Sequence, residues 1–373
     1  MSRRSQAERD AGILKQYFGT DPKFEFVNLV AHGQYGSAFR VKYKDPNHKL
    51  NQFLVKKAFD LEGADDALET ERRYLQRLRG AAHIVQMLDI PDNPLDKRST
   101  DPDPSKSGKK LPNIIGDWII LEWLEHGTVG DFIIKARNMG VKRIPNRLLW
   151  RFFYCLVRGC IAMAWPPNRH DGTVVNETIP PDVTESKLVH NDVHARNVLL
   201  AEPPKDAEHT ISPIIKIIDF GIAGEWAWAD GRPSAVQSNI RDIGQIMLGL
   251  ITLTTLLDSP PSGPQDLKFT MVDGGPEIDT DAKGLLPLTG EGAPYPHLDP
   301  LLGRLVCACR AFDHNNRPTL RRLNEVVSDA VTNRGEGFYP GVVEEQDDSI
   351  SKLWRQIVSY TGGGGDLVIE ISS

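Results

Sequence analysis

Residues 188–200, which read LVHNDVHARNVLL, place two histidines, an aspartate, an arginine and two asparagines at close intervals directly before an apolar triplet. The triplet is typical of a buried strand, and polar side chains held at the edge of a strand indicate a site. The aspartate and the second asparagine are Asp192 and Asn197. Because such a pair also occurs in ordinary loops of mutually bonded polar side chains, its meaning depends on the rest of the chain.

A second carboxylate follows another apolar run. The segment KIIDFGIA, residues 216–223, delivers Asp219 from a predicted strand to a Phe-Gly turn. A carboxylate in that position can coordinate a hard cation such as Mg²⁺. Asn197 and Asp219 are therefore the predicted metal ligands, and the ions they hold would bridge nucleotide phosphates.

Glycines and a lysine upstream suit the same chemistry. In VAHGQYGSAFRV, Gly33 and Gly36 let backbone N–H groups approach phosphate oxygens, because no Cβ stands in the way. Lys56 ends the apolar strand FLVK, and the next helix offers Glu71 as its ion-pair partner. A hairpin and two surface charges are the ordinary alternatives. The occurrence of all these features in one order, each in a suitable context, favours a common site.

These residues require elements that position them. Residues 24–57 alternate apolar and polar positions around Gly and Asn breaks, which predicts antiparallel strands. An amphipathic helix is predicted for 65–79, with Gly80 as its stop. The predicted strands IVQMLDI and DWIILEW then flank a polar insert at 91–113, whose Pro, Ser, Asp and Lys content predicts a flexible loop.

The second half of the chain is predicted to be mainly helical. Apolar segments at 148–165 and 242–257 indicate buried helices, and an amphipathic helix is predicted near 317–332. Pro- and Gly-rich loops are predicted at 165–187 and 258–297. The predicted division is an N-terminal extension (1–23), a small β-rich lobe (24–124), a larger helical lobe (125–333) and a C-terminal tail with a short helix (334–373), which makes the fold class α+β.

The composition predicts an intracellular globular protein. Its 373 residues carry a formal net charge of −6 without a block of one sign, which argues against nucleic acid as a partner. The four cysteines are too few and too poorly spaced for a disulfide framework or a paired Cys-x-x-Cys zinc site, so reduced core thiols are expected. No apolar run suits a signal peptide or spans a bilayer of roughly 30 Å, so no membrane partner is expected.

The motifs GQYG, FLVK, Glu71, EWLEHGT, HNDVHARN, DFG, NIRDIG and DHNNRP occur in an order that resembles the eukaryotic protein kinase family, over roughly residues 24–332. The resemblance implies the bilobal kinase fold, with ATP as the phosphoryl donor and Mg²⁺ as a cofactor. In such enzymes the protein mainly positions groups and neutralises charge.

The resemblance also implies a role for each motif residue. Asp192 would accept or orient the substrate hydroxyl, Lys56 would hold the donor phosphates, and Glu71 would orient Lys56. Asn197 and Asp219 keep their predicted role as metal ligands. The residues implied to bind the nucleotide are Gly33, Gly36, Ala38, Leu54, Lys56, Glu122, Leu124 and Leu199.

Further residues match structural positions of the family. Leu121 takes the gatekeeper position, and Asp242 would start the central buried helix and brace the catalytic loop. Arg317 matches the late arginine of the family. The residues implied to stack through both lobes as the regulatory column are Leu75, Met87, His190 and Phe220.

Several positions depart from the kinase pattern. Ala31 replaces the first glycine of the phosphate loop, and Leu54, in place of a small alanine, would crowd the roof of the adenine pocket. Asn191 replaces the usual arginine, so a phosphorylated activation loop would lack its guanidinium partner. The segment GEWAWADGRPSAVQSNIR contains no Ala-Pro-Glu, so the peptide platform is shortened and Arg317 lacks its expected glutamate partner.

Three functions remain as hypotheses. The first is ATP- and Mg²⁺-dependent transfer of the γ-phosphate to a protein hydroxyl, of serine or threonine, without a need for loop phosphorylation. The second follows from His194, because HNDVHARN is similar to the His-x-Asp-x-His-x-x-Asn of aminoglycoside and choline phosphotransferases, which phosphorylate small molecules. The third is a pseudokinase scaffold, motivated by Leu54, Asn191 and the short activation segment.

Overall fold

The computed structural model describes residues 2–45, 47, 51–90, 117–204, 206–226, 231–255, 266–362 and 369–371. The chain is a mixed α+β protein, which confirms the predicted class. The helices are α1 (Arg3–Gly19), α2 (Ala64–Arg77), α3 (Val129–Asn138), α4 (Asn146–Ala164), α5 (Ala235–Thr252), α6 (Pro300–Cys309), α7 (Leu320–Asn333) and α8 (Asp347–Ser359). The strands are β1 (Phe24–Gly33), β2 (Gly36–Tyr43), β3 (Gln52–Ala58), β4 (Trp118–Glu122), β5 (Leu188–Val189), β6 (Val198–Ala201), β7 (Ile214–Ile217), β8 (Gly224–Glu225) and β9 (Ile369–Ile371).

One sheet contains β4, β3, β2, β1 and β9 in that order. The first four pair antiparallel, which confirms the strands predicted for residues 24–57, and β9 pairs parallel with β1. Successive side chains of a strand point to opposite faces. Phe39, Phe53 and Val55 are fully buried on one face. The other face carries Ala38 and Lys56, which are direct partners across β2 and β3.

The N-terminal extension is helix α1, and it packs on the sheet. Its side chains Leu14 and Phe18 are almost fully buried in one cluster with Phe39. Asp10 of the same helix has no exposed surface. Its carboxylate forms an ion pair with Lys57 of β3, with Nζ and Oδ2 3.0 Å apart, so a buried charge pair joins the helix to the sheet.

Helix α2 confirms the amphipathic helix predicted for 65–79. Leu68 and Leu75 on its apolar face are buried. Gly80 has a φ of +92°, which favours glycine, and a Cβ there would lie 2.9 Å from the Thr173 carbonyl oxygen. The predicted strand IVQMLDI is wrong, since only isolated bridges form there. The Gln86 side chain bonds the backbone groups of Gly80, Ala81 and Ile84 at 2.8–2.9 Å, which holds this segment in an irregular conformation.

Helices α4 and α5 form the centre of the helical part. The helix predicted for 148–165 is confirmed by α4, whose side chains are buried almost all round. Helix α5 begins seven residues before the predicted 242 because Ser234 and Gln237 form a capping box there (242 − 235). It ends at Thr252, while residues 256 and 257 lie outside the described residues.

The C-terminal helices pack into the same core. Helix α7 confirms the amphipathic helix predicted near 317–332, and α8 confirms the short helix of the tail. Trp354 of α8 is 1% exposed. The predicted loop at 91–113 lies outside the described residues. In the part of the chain that is described, no helix is both long and apolar enough to cross a bilayer.

Candidate functional site

A cleft lies between the sheet and the loops that adjoin β6 and β7, and Lys56 lies in it. The Nζ atom of Lys56 donates to Glu71 Oε2 at 2.6 Å and to Asp219 Oδ1 at 2.7 Å. Glu71 comes from α2, and Asp219 follows β7 by two residues. The structure therefore brings together the lysine and both carboxylates that the sequence predicts.

This triad is buried, and its charges depend on one another. Burial disfavours the charge on Lys56, but Asp219 and Glu71 outweigh this effect and raise its pKa above the ordinary value. Burial likewise opposes the charge on Asp219, while Lys56 lowers the pKa of Asp219 below its usual range. A charged Lys56 is consequently held against an ionised Asp219.

Residues 188–197, the predicted catalytic loop, hold Asp192 from both sides. Asn197 Nδ2 donates to Asp192 Oδ2 at 2.8 Å. His194 Nδ1 accepts from the Arg196 N–H at 3.2 Å, which assigns the ring proton to Nε2. His194 Nε2 lies 3.3 Å from Asp192 Oδ1 and donates to it. Both carboxylate oxygens of Asp192 are therefore held in place by hydrogen bonds. A carboxylate that orients a hydroxyl must be held in this way.

The backbone is strained where the two key aspartates are presented. Asp219 has a φ of +67°, and Asn191, directly before Asp192, has a φ of +68°. Non-glycine residues in this left-handed region cost about 1–3 kcal/mol and occur preferentially at functional sites. The Asn191 side chain donates to the Ile222 carbonyl oxygen at 2.9 Å, which ties the catalytic loop to the segment after Asp219.

The residues proposed for a regulatory column include one direct ring contact. The ring centroids of His190 and Phe220 lie 4.5 Å apart. His190 Nε2 donates to the Ile218 carbonyl oxygen at 2.9 Å, and its Nδ1 accepts from the Asp192 N–H at 3.2 Å. Burial lowers the pKa of His190. A neutral, buried His190 therefore supports the loop geometry.

The turn between β1 and β2 lies over one end of the cleft. Gly33, Gly36 and Ala38 line the same cavity as Lys56 and Asp219. Gly36 has a structural requirement of its own, because a Cβ there would lie 2.3 Å from the Lys57 carbonyl oxygen. Close packing of β2 against β3 thus accounts for this glycine without reference to phosphate.

The remaining predicted nucleotide contacts line an adjoining apolar cavity. Leu54, Leu124 and Leu199 contribute to it, together with the gatekeeper Leu121. Glu122 also lines it, but its carboxylate is engaged elsewhere. Oε1 of Glu122 accepts from Lys216 Nζ at 2.7 Å and from the Gln86 N–H at 2.8 Å. The Glu122 backbone N–H also donates to the Gln86 carbonyl oxygen at 3.0 Å. Lys216 is a residue that the sequence interpretation missed.

The catalytic loop is braced by a different residue of α5 from the one predicted. Asn239 Oδ1 accepts from the His190 N–H at 3.2 Å, and its Nδ2 donates to the Leu188 carbonyl oxygen at 3.0 Å. Asp242 was predicted for this role, which is wrong, because it lies one turn further along the helix. The sequence offered a signal for this bracing role. Asn239 lies five positions before Gly244, on the buried face of α5, where most of the side chains are apolar.

Arg317 is buried and donates to backbone carbonyl oxygens. Its bonds reach Ala311 at 3.1 Å and Gln237 at 3.2 Å, so its side chain finds acceptors without the glutamate that kinases carry. The buried ion pair of this region joins Arg310 to Asp281, with Nε and Oδ1 2.6 Å apart. The loop at 258–297 thus supplies a carboxylate to the core.

The oxygen atoms next to Lys56 suit a hard divalent cation. Asn197 is fully buried, and within the described part of the chain its Oδ1 atom has no hydrogen-bond partner while Nδ2 is bonded. Its backbone carbonyl oxygen accepts from the Ile218 N–H at 3.0 Å, which joins Asn197 to the residue before Asp219. An amide oxygen and an ionised carboxylate are oxygen donors of the kind that Mg²⁺ prefers. The donor set therefore fits the predicted metal.

A scan against protein-family models matches none of them to this chain, and a search of curated proteins finds no significant match. The kinase resemblance consequently rests on the quoted motifs and on the geometry of the cleft.

Proposed function

We propose that this chain is a protein kinase-like phosphotransferase with the bilobal kinase fold, which transfers the γ-phosphate of ATP to serine or threonine hydroxyls of an intracellular protein. The observation that carries the proposal is the bonding of Lys56 Nζ to both Glu71 and Asp219. These residues come from three separate segments, and their order along the chain is that of the kinase motifs.

Each residue has a defined task in this proposal. Glu71 holds the ammonium of Lys56 in the cleft, where it binds the donor phosphates. Asp192, fixed by Asn197 and His194, orients the acceptor hydroxyl and accepts its proton. Bound Mg²⁺ supplies charge neutralisation at the phosphates, and Asn197 Oδ1 with the Asp219 carboxylate would hold it.

The apolar cavity supports adenine binding despite the departure at Leu54. Kinases carry valine two positions after the last glycine of the loop and alanine two positions before the lysine. This chain has Ala38 and Leu54 there, and both side chains belong to the same cavity. A smaller residue on β2 thus stands beside a larger one on β3, so the exchange compensates volume.

Small-molecule phosphorylation is a second candidate, favoured by one contact. His194 donates to Asp192 Oδ1 at 3.3 Å, where protein kinases of the serine/threonine type use a lysine. The histidine keeps the carboxylate oriented but brings no permanent positive charge to the acceptor side. Without the permanent charge of a lysine at this position, an acceptor that itself carries positive charge, such as an aminoglycoside or choline, meets less repulsion.

Phosphate transfer from radiolabelled ATP with Mg²⁺ tests the proposal. The wild type is compared with Asp192→Asn and Asp219→Asn, on a protein mixture, on itself and on a panel of aminoglycosides and choline. Asp348→Asn, at an exposed position of α8, is the matched control. We expect label on protein with the wild type and the control, and a loss of at least about 100-fold in both site variants.

The other outcomes separate the alternatives. Label on a small molecule alone supports the second candidate. Binding of ATP without transfer to any acceptor would support the scaffold hypothesis, and equal transfer by Asp192→Asn would remove the assigned catalytic role.

A further inference from the structure

A buried cluster outside the cleft contains His83, Cys155 and His209. The three residues come from the segment after α2, from α4 and from the turn between β6 and β7. Their side-chain ligand atoms all lie within 4.8 Å of one another. His209 Nε2 lies 3.4 Å from His83 Nε2 and 3.4 Å from Cys155 Sγ. The phosphate transfer that we propose for the cleft involves none of these atoms.

Each histidine is anchored by a carboxylate on its other ring nitrogen. His83 Nδ1 lies 2.7 Å from Glu177 Oε2, and His209 Nδ1 lies 2.9 Å from Asp206 Oδ1. An ionised carboxylate only accepts hydrogen bonds, so the ring protons belong on the Nδ1 atoms. In neutral rings both Nε2 atoms then present lone pairs to the space beside Cys155. Carboxylates in this arrangement orient the histidine ligands of metal sites.

The cluster holds two ring nitrogens and a sulfur in mutual contact inside the protein. His209 Nε2 lies 3.4 Å from both His83 Nε2 and Cys155 Sγ, so at most a shared proton separates each pair. All three residues are at most 3% exposed, which shields them from bulk solvent. A cation between the three atoms would bind each lone pair.

The spacing fits Zn²⁺. Zinc binds imidazole nitrogen at about 2.0–2.1 Å and thiolate sulfur at about 2.3 Å, which places neighbouring ligand atoms of a tetrahedron about 3.3–3.6 Å apart. The distances from His209 Nε2 to His83 Nε2 and to Cys155 Sγ, both 3.4 Å, lie in that range. We propose that His83, Cys155 and His209 form a zinc site, with Glu177 and Asp206 orienting the two histidines.

The site would act as a structural staple. Among the residues that the structure describes, three side chains supply ligands, so a water molecule completes the tetrahedron, and burial excludes a substrate. The His83 carbonyl oxygen accepts from the Ile217 N–H at 2.9 Å, and the Val85 N–H donates back to Ile217 at 3.0 Å. Zinc at this point would therefore fix the segment after α2, helix α4 and the end of β7 together.

Metal analysis of the purified full-length chain tests the site without use of enzymatic activity. We expect about one zinc per wild-type chain. Cys155→Ser and His209→Gln should lose it, whereas Cys160→Ser, a buried free cysteine of the same helix, should keep it. Glu177→Gln should weaken zinc binding about 10- to 100-fold, because it no longer orients His83 as a carboxylate.

A second measurement on the wild type guards against variants that do not fold. Cobalt(II) added after chelation should give a thiolate-to-cobalt charge-transfer band with one-to-one stoichiometry. Chelation should also lower the unfolding temperature of the wild type, with a smaller effect on Cys155→Ser. Wild-type protein without zinc and without the cobalt band would overturn the proposal, as would full zinc content in Cys155→Ser or copper in place of zinc.

Discussion

At the scale of single residues, the cleft depends on one ammonium group shared by two carboxylates. Lys56 lies 15 residues from Glu71 and 163 residues from Asp219 along the chain, yet it bonds both. Glu71 is 1% exposed and Asp219 is 9% exposed, so water screens these charges little. Removal of either carboxylate should therefore displace Lys56 or change its charge state.

Glu71→Gln tests the orienting role. The substitution keeps the size of the side chain and an oxygen acceptor but removes the carboxylate charge that faces the Lys56 ammonium, and hydrogen bonds to charged groups are worth about 1.5–3 kcal/mol. We expect kcat/KM for phosphate transfer to fall about 10- to 100-fold, while nucleotide binding changes less. Glu69→Gln, at an exposed position of the same helix, should retain full activity. Unchanged activity in Glu71→Gln would show that Asp219 alone positions Lys56.

Asp242 carries a charge that weakens the folded state. Burial raises the pKa of Asp242 to about 6, although Arg310, Arg241 and Arg317 oppose the rise. The folded state therefore binds this proton more tightly than the unfolded chain does. Its contribution to stability is present below pH 4 and is lost as the pH rises through about 6.

Asp242→Asn should consequently stabilise the protein at neutral pH. The difference between about 6 and the ordinary 3.8, at about 1.36 kcal/mol per pH unit, gives an upper bound of about 3 kcal/mol. Urea unfolding at pH 7.5 should show the gain, and the two proteins should converge near pH 4. Asp281→Asn is the comparison: it removes the partner of Arg310 and should destabilise. A loss of stability in Asp242→Asn at pH 7.5 would contradict the assigned environment.

At the scale of elements, helix α5 is the support of the catalytic loop. Asn239 satisfies one N–H and one carbonyl oxygen of residues 188–190 from a position that is 1% exposed. The helix starts at a capping box, and Ser-x-x-Gln before an apolar run is a start signal visible in the sequence. The exact residue that meets the loop depends on the rotation of the helix, which packing determines.

Asn239→Ala should unfold more easily than the wild type. The substitution leaves two buried backbone groups without partners, at about 1–3 kcal/mol each. We expect a loss of about 2–6 kcal/mol in the free energy of unfolding, measured by urea titration, together with lower phosphate transfer. Asn324→Ala on α7 is the control, because it truncates a partly buried asparagine on a different helix. A stable Asn239→Ala with normal activity would refute the bracing role.

At the scale of the whole molecule, both terminal segments belong to the folded core. Helix α1 packs on the sheet through Leu14 and Phe18, and α8 buries Trp354. The carboxylate of Glu345 accepts from the backbone N–H groups of Asn146 and Arg147 at 2.7 and 2.9 Å, so the tail caps the start of α4. The predicted N-terminal extension and C-terminal tail therefore both pack against the rest of the chain.

Asp10→Ala tests the attachment of α1. The variant leaves Lys57, which is 1% exposed, without its carboxylate partner, and an uncompensated buried charge costs about 3–5 kcal/mol. We expect a loss of that size in the free energy of unfolding. Glu8→Ala, whose exposed carboxylate pairs with Arg4 on the same helix, should cost less than about 1 kcal/mol. Equal effects of the two substitutions would argue against a buried pair.

The sequence by itself determined the local patterns of this protein. Strand alternation, the amphipathic face of α2 and the residues Lys56, Glu71 and Asp219 were all visible, because hydrophobic periodicity and turn chemistry act over a few residues. The tertiary structure alone decided which distant groups meet. It placed Asn239 at the catalytic loop, Lys216 on Glu122, and His83 beside His209, 126 residues away. Such contacts depend on helix rotation and on packing between elements, which no local pattern encodes.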